Sequence, residues 1–485
     1  MDFISEIKKI NTDGLILRFA ERSIEMFKGQ ESITSVEVPV VRYGRSQKLC
    51  VALSAWDILS IDYLAVKHSN DYRDGKKKCS VGQLVDLYRE YDNEHHTPNA
   101  LYNPNLPLDD IFRIILGMTA EQFQHSRMLW AFERFSRNYY ILLAAKDFEH
   151  HALIDVDGII RETFGYNADD YVAVLLIVFW LCLQNPMPLT APPSLYHRKE
   201  LTVLTEENIR AFVGRYTCTY RELRDSPLKR QLLYSKPFIK TQKTCATIMS
   251  SMYLVAMLIG NGLYWVVRDY YQMRKQQNFV NAFGLLFEDY ITDLAKTYCS
   301  ESEWRHLEEG RKKQSDFYFD FGDVRLVVEA KSALLGLNAR QQVPNTSTID
   351  RFYRNTIQEA YQQLQSSHNE LLSAAPTPLL KIILLYDEFS NTAIIEQSIS
   401  EIFLNDPACY IMTIRDFEIL LYTYKYNYSQ FKNVLNSMAY PKGKDRERKC
   451  VTVILEEHSL RDNFHFDGER DYFKILLEHF GSQLK

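Results

Sequence analysis

Asp316, Glu329 and Lys331 are the residues whose types and spacing in this chain best suit chemistry. They belong to the stretch SDFYFDFGDVRLVVEAK, Ser315 to Lys331, whose apolar alternation reads as a β-hairpin carrying more charge than a hairpin needs. A two-residue reversal at Gly322-Asp323, with glycine first as a type II′ turn prefers, sets the register. It pairs Asp320 with Arg325, Phe319 with Leu326, Phe317 with Val328 and Asp316 with Glu329. Lys331, two residues beyond Glu329, projects to the same side. The charges then separate into three groups, in which Asp323 turns the chain, Asp320 opposes Arg325, and Asp316, Glu329 and Lys331 converge. Two carboxylates so close raise one another's pKa unless a cation lies between them. A hard divalent ion suits such oxygen ligands, Mg²⁺ above all, with Mn²⁺ as substitute. Lys331 would then hold a water or offset charge developing on a phosphate. The alternative is a buried structural cluster in which Lys331 only neutralises the pair.

The elements around this hairpin read as an α/β unit over residues 279–425. A helix over Phe279–Tyr298 precedes the hairpin, and a Gly/Asn/Pro-containing loop, Gly336–Ser347, follows it. Next come a polar helix over Ile349–Leu372, a strand at Lys381–Tyr386, a helix near Ala393–Phe403 and a strand at Tyr410–Ile414. The C-terminal part, 426–485, reads as helical with one strand at Val451–Leu455. Residues 1–99 read as α-rich, with an extended piece at Ser35–Val41 and helices over Leu53–Val66 and Val81–Tyr91. Residues 100–278 read as a helical domain. Three hexamers there (112–117, 160–165 and 209–214) share an apolar-Arg-x-x-apolar-Gly pattern, whose glycines suit a left-handed position just past a helix end. The fold class expected is thus a mixed central sheet flanked by helices, preceded by a large, mostly α-helical N-terminal region.

Asp316 followed thirteen residues later by Glu329-Ala330-Lys331 resembles the signature of the PD-(D/E)XK nuclease superfamily, with Ser315 where the name has proline. The resemblance covers residues 279 to 425. It includes Gly284-x-x-Phe287-Glu288-x-Tyr290 on the preceding helix and a glutamine-rich helix afterwards, with Gln358, Tyr361 and Gln363. It implies a restriction-endonuclease-like fold and Mg²⁺-dependent hydrolysis of phosphodiesters, in an endonuclease or exonuclease. It further implies Asp316, Glu329 and the Ala330 carbonyl as metal ligands, Glu288 completing the shell, and Lys331 orienting the attacking water. Gln358 is the glutamine expected to reach the site, being nearer the start of its helix. Arg340, Arg351 and Arg354 are candidates for phosphate contacts. A nuclease joined to a helical region resembles bacterial restriction and anti-phage defence proteins. The competing expectation is a non-catalytic binding or assembly protein that uses the nuclease-like fold as scaffold, with the helical region as adaptor.

A net charge of −5 excludes binding nucleic acid by bulk attraction, so contacts with nucleic acid (DNA favoured) must come from local basic clusters. Candidates are Lys76–Lys78, Arg311–Lys313 and the mixed run Lys442–Lys449. The eight cysteines include no Cys-x-x-Cys pair, which argues against the usual zinc sites and for reduced thiols. The longest apolar run, Tyr171–Leu183, is too short for a bilayer and reads as a buried helix. With no signal-peptide profile at the N-terminus, a cytoplasmic protein without membrane contact is expected. A protein partner or self-association through the helical region is also expected. The pairs His95-His96 and His150-His151 read as structural or surface residues, because neighbours point to different faces. No GxxxxGK[ST] motif is present, so no phosphate-cradling NTPase loop is expected.

Overall fold

A computed structural model describes residues 2–42, 45–69, 81–95, 105–107, 111, 115, 128–192, 194, 202–275, 278–307, 314–332, 346–372, 376–386, 392–440, 449–464 and 470–484. The protein is mixed α/β, with a largely helical N-terminal region and a five-stranded mixed sheet.

Two small sheets lie in the N-terminal half. Strands β1 (Ile33–Arg42) and β2 (Arg45–Ser54) form an antiparallel hairpin, so the extended piece expected near Ser35 has a partner strand. Strands β3 (Thr217–Thr219), β4 (Phe238–Lys240) and β5 (Thr247–Met249) make a three-stranded sheet. The rest is helical. The run Tyr171–Leu183 lies within helix Ala168–Gln184, capped by Asn167 and buried along nearly its whole length. No single described helix is long and apolar enough to cross a membrane; the adjoining His151–Phe164 and Ala168–Gln184 together are, but bend by 64° at their junction.

The hexamer glycines behave differently from one another. Gly165 ends helix Val156–Phe164 in the left-handed conformation (φ +84°), where a side chain would be strained. Gly214 is the next-to-last residue of helix Glu206–Arg215, whose C-cap is Tyr216, so there the glycine lies inside the helix rather than just past its end. The first hexamer, 112–117, lies mostly outside the described residues, as do Lys76–Lys78, Arg311–Lys313, most of Lys442–Lys449 and most of the loop Gly336–Ser347.

The main sheet has the order β10-β9-β8-β7-β6. Its members are β6 (Trp304–His306), β7 (Phe317–Asp320), β8 (Arg325–Lys331), β9 (Leu379–Leu385) and β10 (Cys409–Thr413). β6, β7 and β8 pair antiparallel, while β8, β9 and β10 run parallel. The long helix Thr346–Leu371 supplies the crossover from β8 to β9, as a parallel pair requires. β9 is buried at every position, the pattern of a strand covered on both faces. The edge strand β6 was not expected from the sequence. Val451–Leu455, expected as a strand, instead forms helix Val451–Glu457. Its buried residues Val451, Thr452, Ile454 and Leu455 recur at helical spacing, so packing overrides the β-preference of its valines.

One hydrophobic cluster runs from Phe3 to Phe473 and takes in both the helical region and one face of the sheet. Buried charges cross the same boundary. Glu133 and Arg137, on helix Met128–Tyr139, meet Arg415 and Glu418, on helix Ile414–Tyr426. Arg137 holds Glu418 through two bonds of 2.6 and 2.7 Å, and Tyr290 OH donates to the same carboxylate at 2.6 Å.

Candidate active site

The hairpin takes the expected register: Asp320 lies opposite Arg325, Phe319 opposite Leu326 and Phe317 opposite Val328. Its reversal is tighter than a type II′ turn. Gly322 has φ +81° and the Asp323 N–H donates to Phe321 O, a γ-turn centred on the one residue type that takes this conformation without strain. Arg325 is fully buried, and its guanidinium donates to Leu371 O and Thr377 O, tying the strand to the end of the crossover helix. Asp320 accepts from Tyr318 OH and Gly322 N–H, and Asp323 pairs with Lys432.

The ladder stops one residue short of Asp316. Instead of facing Glu329, Asp316 bends: its N–H donates to Val328 O, and its Oδ2 accepts the Ala330 N–H at 2.7 Å. The carboxylate thus takes the place of a backbone acceptor at the end of the strand. Glu329 on β8 is almost completely buried. Lys331 Nζ donates to Glu329 Oε1 at 2.7 Å and to Gln363 Oε1 at 3.0 Å. Glu329 Oε2 is buried with no hydrogen-bond partner, an arrangement that costs free energy unless a proton or a cation occupies it.

Electrostatics follows from that burial. Desolvation, then the nearby Asp316 charge, push the Glu329 carboxyl up to about 8 against the opposing pull of Lys331. Desolvation also raises Asp316 to about 6, with the Ala330 N–H pulling down and Glu288 pushing up. Without a further cation, the pair therefore holds at least one proton near neutral pH.

Glu288 stands on helix Asn278–Tyr298, close enough to act on both carboxyls, with its Oε2 3.5 Å from His306 Nε2 on β6. The helix lies close to the end of β8, where a Cβ at Gly284 would sit 3.4 Å from Ser332 Oγ. Asp316, Glu288 and His306 line a cleft of about 750 Å³. Six carboxylates face it, from Asp147, Glu149, Glu288, Asp289, Asp293 and Asp316, against one lysine, Lys296. Glu149, His150 and Asp289, also on its lining, each bring a ligand atom within 4.8 Å of the others. Among the described residues this is the set drawn together so tightly; Asp316, Glu329 and Glu288 lie near one another but are not gathered to that degree.

The remaining expected residues fall as follows. Gln363, not Gln358, is the glutamine that reaches Lys331; five residues apart on a helix, the two lie on different faces. Tyr361 turns away to Asp406. Arg354 is ion-paired with Glu401, and Arg351 is exposed. Arg340 lies outside the described residues. Ser315, at the proline position of the resemblance, is buried, and its N–H donates to Ser367 Oγ. Two residues that sequence reasoning left out, His306 and His150, line the cleft. Nothing in the local pattern around His306 signals this, and the rule that neighbours point apart sets His150 aside. No family model and no curated protein sequence matches the chain.

Proposed function

We propose that the protein is a Mg²⁺-dependent nuclease that hydrolyses phosphodiester bonds of nucleic acid, DNA favoured, through a restriction-endonuclease-like unit over residues 279–425. The observation that carries this reading is Glu329: a buried carboxylate, one oxygen held by Lys331 and the other unpartnered, beside the raised Asp316 carboxyl at the edge of an open cleft. Two oxygen donors of this kind fit a hard divalent ion, which Asp316 and Glu329 would hold with Glu288 nearby. When bound, such an ion supplies Lewis-acid polarisation and a lowered pKa for water. The chain's own groups do the rest. Lys331, fixed by Glu329 and Gln363, keeps a positive charge where an attacking water and phosphate oxygens must meet. Gln363 holds the lysine amine in place without competing for its charge.

A second reading has its own support. Lys331 bonds Glu329 directly, which is also how a neutralised structural cluster looks, and Arg354 is committed to Glu401 rather than open to phosphate. That reading makes the protein a non-catalytic binding or assembly protein. One panel separates the two. Purified protein is incubated with plasmid, linear duplex, single-stranded DNA and RNA in Mg²⁺, Mn²⁺ or EDTA, beside Glu329→Ala. Metal-dependent cleavage lost in the variant is expected; no cleavage of any substrate under any metal sinks the nuclease reading.

A further inference from the structure

Between Glu418 and Asp445 the sequence holds no aspartate or glutamate, while it holds several lysines and the alternate tyrosines of YTYKYNY, Tyr422 to Tyr428. In a chain of net charge −5 that is a local reversal of sign. Helix Ile414–Tyr426 ends inside this run, and its last turn lies against the C-terminal end of helix Asn278–Tyr298, where Lys425 Nζ donates to Thr297 O at 2.9 Å. The same ammonium stands 5.6 Å from the ring centre of Tyr426 and 5.7 Å from that of Tyr298, and Arg470 Cζ lies 5.7 Å from the Tyr298 ring. Both cations are within the range at which a ring face attracts positive charge. Tyr422, one turn before Tyr426, packs on it with ring centres 4.6 Å apart and planes inclined by 46°. Tyr298 is buried, but Tyr426 is 55% exposed and Lys425 is exposed beside it. Lys425 spends one N–H on Thr297 O and keeps two others.

We propose that Tyr426, with Lys425 beside it, is a stacking platform for a single strand of nucleic acid held next to the cleft. The choice of nucleic acid rests on the nuclease reading, which this deepens by naming the form of the substrate. An exposed ring supported by other rings and flanked by cations is the chemistry that binds unpaired bases: the base lies on the ring, and a phosphate oxygen accepts from the lysine. In a duplex the faces of the bases are covered by their stacked neighbours, so the platform selects an unpaired strand. Capping the end of helix Asn278–Tyr298 accounts for Lys425, and burial accounts for Tyr298, but neither needs an aromatic ring kept more than half in water. The position fits as well. Asp293 and Lys296 line the cleft, and from Asp293 to Tyr298 the helix advances by roughly 7 to 8 Å. Lys296 is exposed and places one more cation between the cleft and the platform.

The experiment is fluorescence anisotropy with the full chain in EDTA, so that no cleavage intervenes. The probes are a labelled oligo-dT of about 15 nucleotides, an abasic deoxyribose-phosphate chain of the same length and charge, and a duplex of the same length. Wild type is expected to bind oligo-dT about tenfold or more tighter than the abasic chain and the duplex. Tyr426→Leu should weaken oligo-dT by about 5- to 100-fold and leave the abasic chain unchanged, whereas Tyr426→Phe, which keeps the ring, should stay within about twofold of wild type. Lys425→Gln, which leaves the ring in place, should lower the slope of log affinity against log salt by about 0.7. It supplies the comparison should Tyr426→Leu fail to fold. Equal binding of oligo-dT and the abasic chain by wild type overturns the proposal, as do equal losses in Tyr426→Leu and Tyr426→Phe. So does a Tyr426→Leu protein that keeps its affinity but changes its oligomeric state in sedimentation, which would make the patch a contact between copies of the chain. Cleavage in the metal panel without preference for oligo-dT in EDTA sinks the platform and leaves the nuclease reading intact. Base-dependent binding with no cleavage under any metal does the reverse.

Discussion

Glu329→Gln tests the electrostatic reading of the site apart from any activity. In the folded protein the Glu329 carboxyl titrates near 8, against about 4.5 in an unfolded chain. The folded state therefore binds more protons than the unfolded state across that interval, and stability must fall as pH rises through it. The whole gap, at about 1.36 kcal/mol per pH unit, comes to on the order of 4 to 5 kcal/mol above pH 9. Asp316, raised to about 6, adds loss of the same sign in the lower half of the window. Glutamine keeps the shape and cannot ionise. Urea unfolding in EDTA, repeated from about pH 5 to about pH 9, should show a steep decline for wild type and a much shallower one for Glu329→Gln. A divalent cation replaces the missing proton, so Mg²⁺ or Mn²⁺ at about pH 8 should restore wild type and leave the variant unchanged. Parallel declines for the two proteins would refute the burial argument. Equal stabilisation of both by metal would place the cation elsewhere, with Glu149, His150 and Asp289 the first alternative.

Two further predictions concern the supports of the site. Gln363→Ala removes an acceptor 3.0 Å from the Lys331 amine. On any substrate that the cleavage panel identifies, it should lower kcat roughly 10- to 100-fold, the worth of a hydrogen bond to a charged group, whereas Gln358→Ala should stay within about twofold. Glu418→Leu leaves Arg137 buried without its counter-charge and should cost about 3 to 5 kcal/mol in urea unfolding. The double change Arg137→Met with Glu418→Leu should recover most of that loss.

What the sequence shows of this site is what a two-residue period can carry. Strand alternation and one glycine are enough to pair Asp320 with Arg325 and Phe317 with Val328, because a slip of one residue would turn every phenylalanine of β7 to the wrong face. The period ends where the ladder ends. Asp316 leaves it to take the Ala330 N–H, a choice between a backbone acceptor and a carboxylate that no alternation records. Position along its helix favours Gln358, but the turn that faces β8 depends on how the crossover helix lies on the sheet. Val451–Leu455 departs from expectation for the opposite reason. Five residues of mixed β-branched and aliphatic type fit either period, and the neighbour they pack against makes the choice.

The helical region is expected from its sequence to recognise a target or partner; its packing gives it a further part in the site itself. Asn138 Nδ2 donates to Gly260 O while its Oδ1 accepts from Tyr386 OH, and the Tyr386 N–H donates to Lys331 O. The end of β8 that presents the lysine is thus held by two helices from before residue 278. Arg137, one residue earlier, fixes Glu418, and Glu418 fixes Tyr290 on the helix that carries Glu288 and Asp289. Adjacent residues of one helix therefore hold the Lys331 end of β8, through Asn138, and the acidic helix that lines the cleft, through Arg137. The side-chain bonds among these span more than a hundred residues of chain and involve residue types common on any helix surface, so neither their spacing nor their composition marks them. A unit cut at residue 279 would keep Asp316, Glu329 and Lys331 but lose Asn138 and Arg137, which hold the end of β8 and the acidic helix, and the segment Asp147–His150, which lines the cleft. For that reason the cleft belongs to the chain as a whole rather than to its α/β part alone.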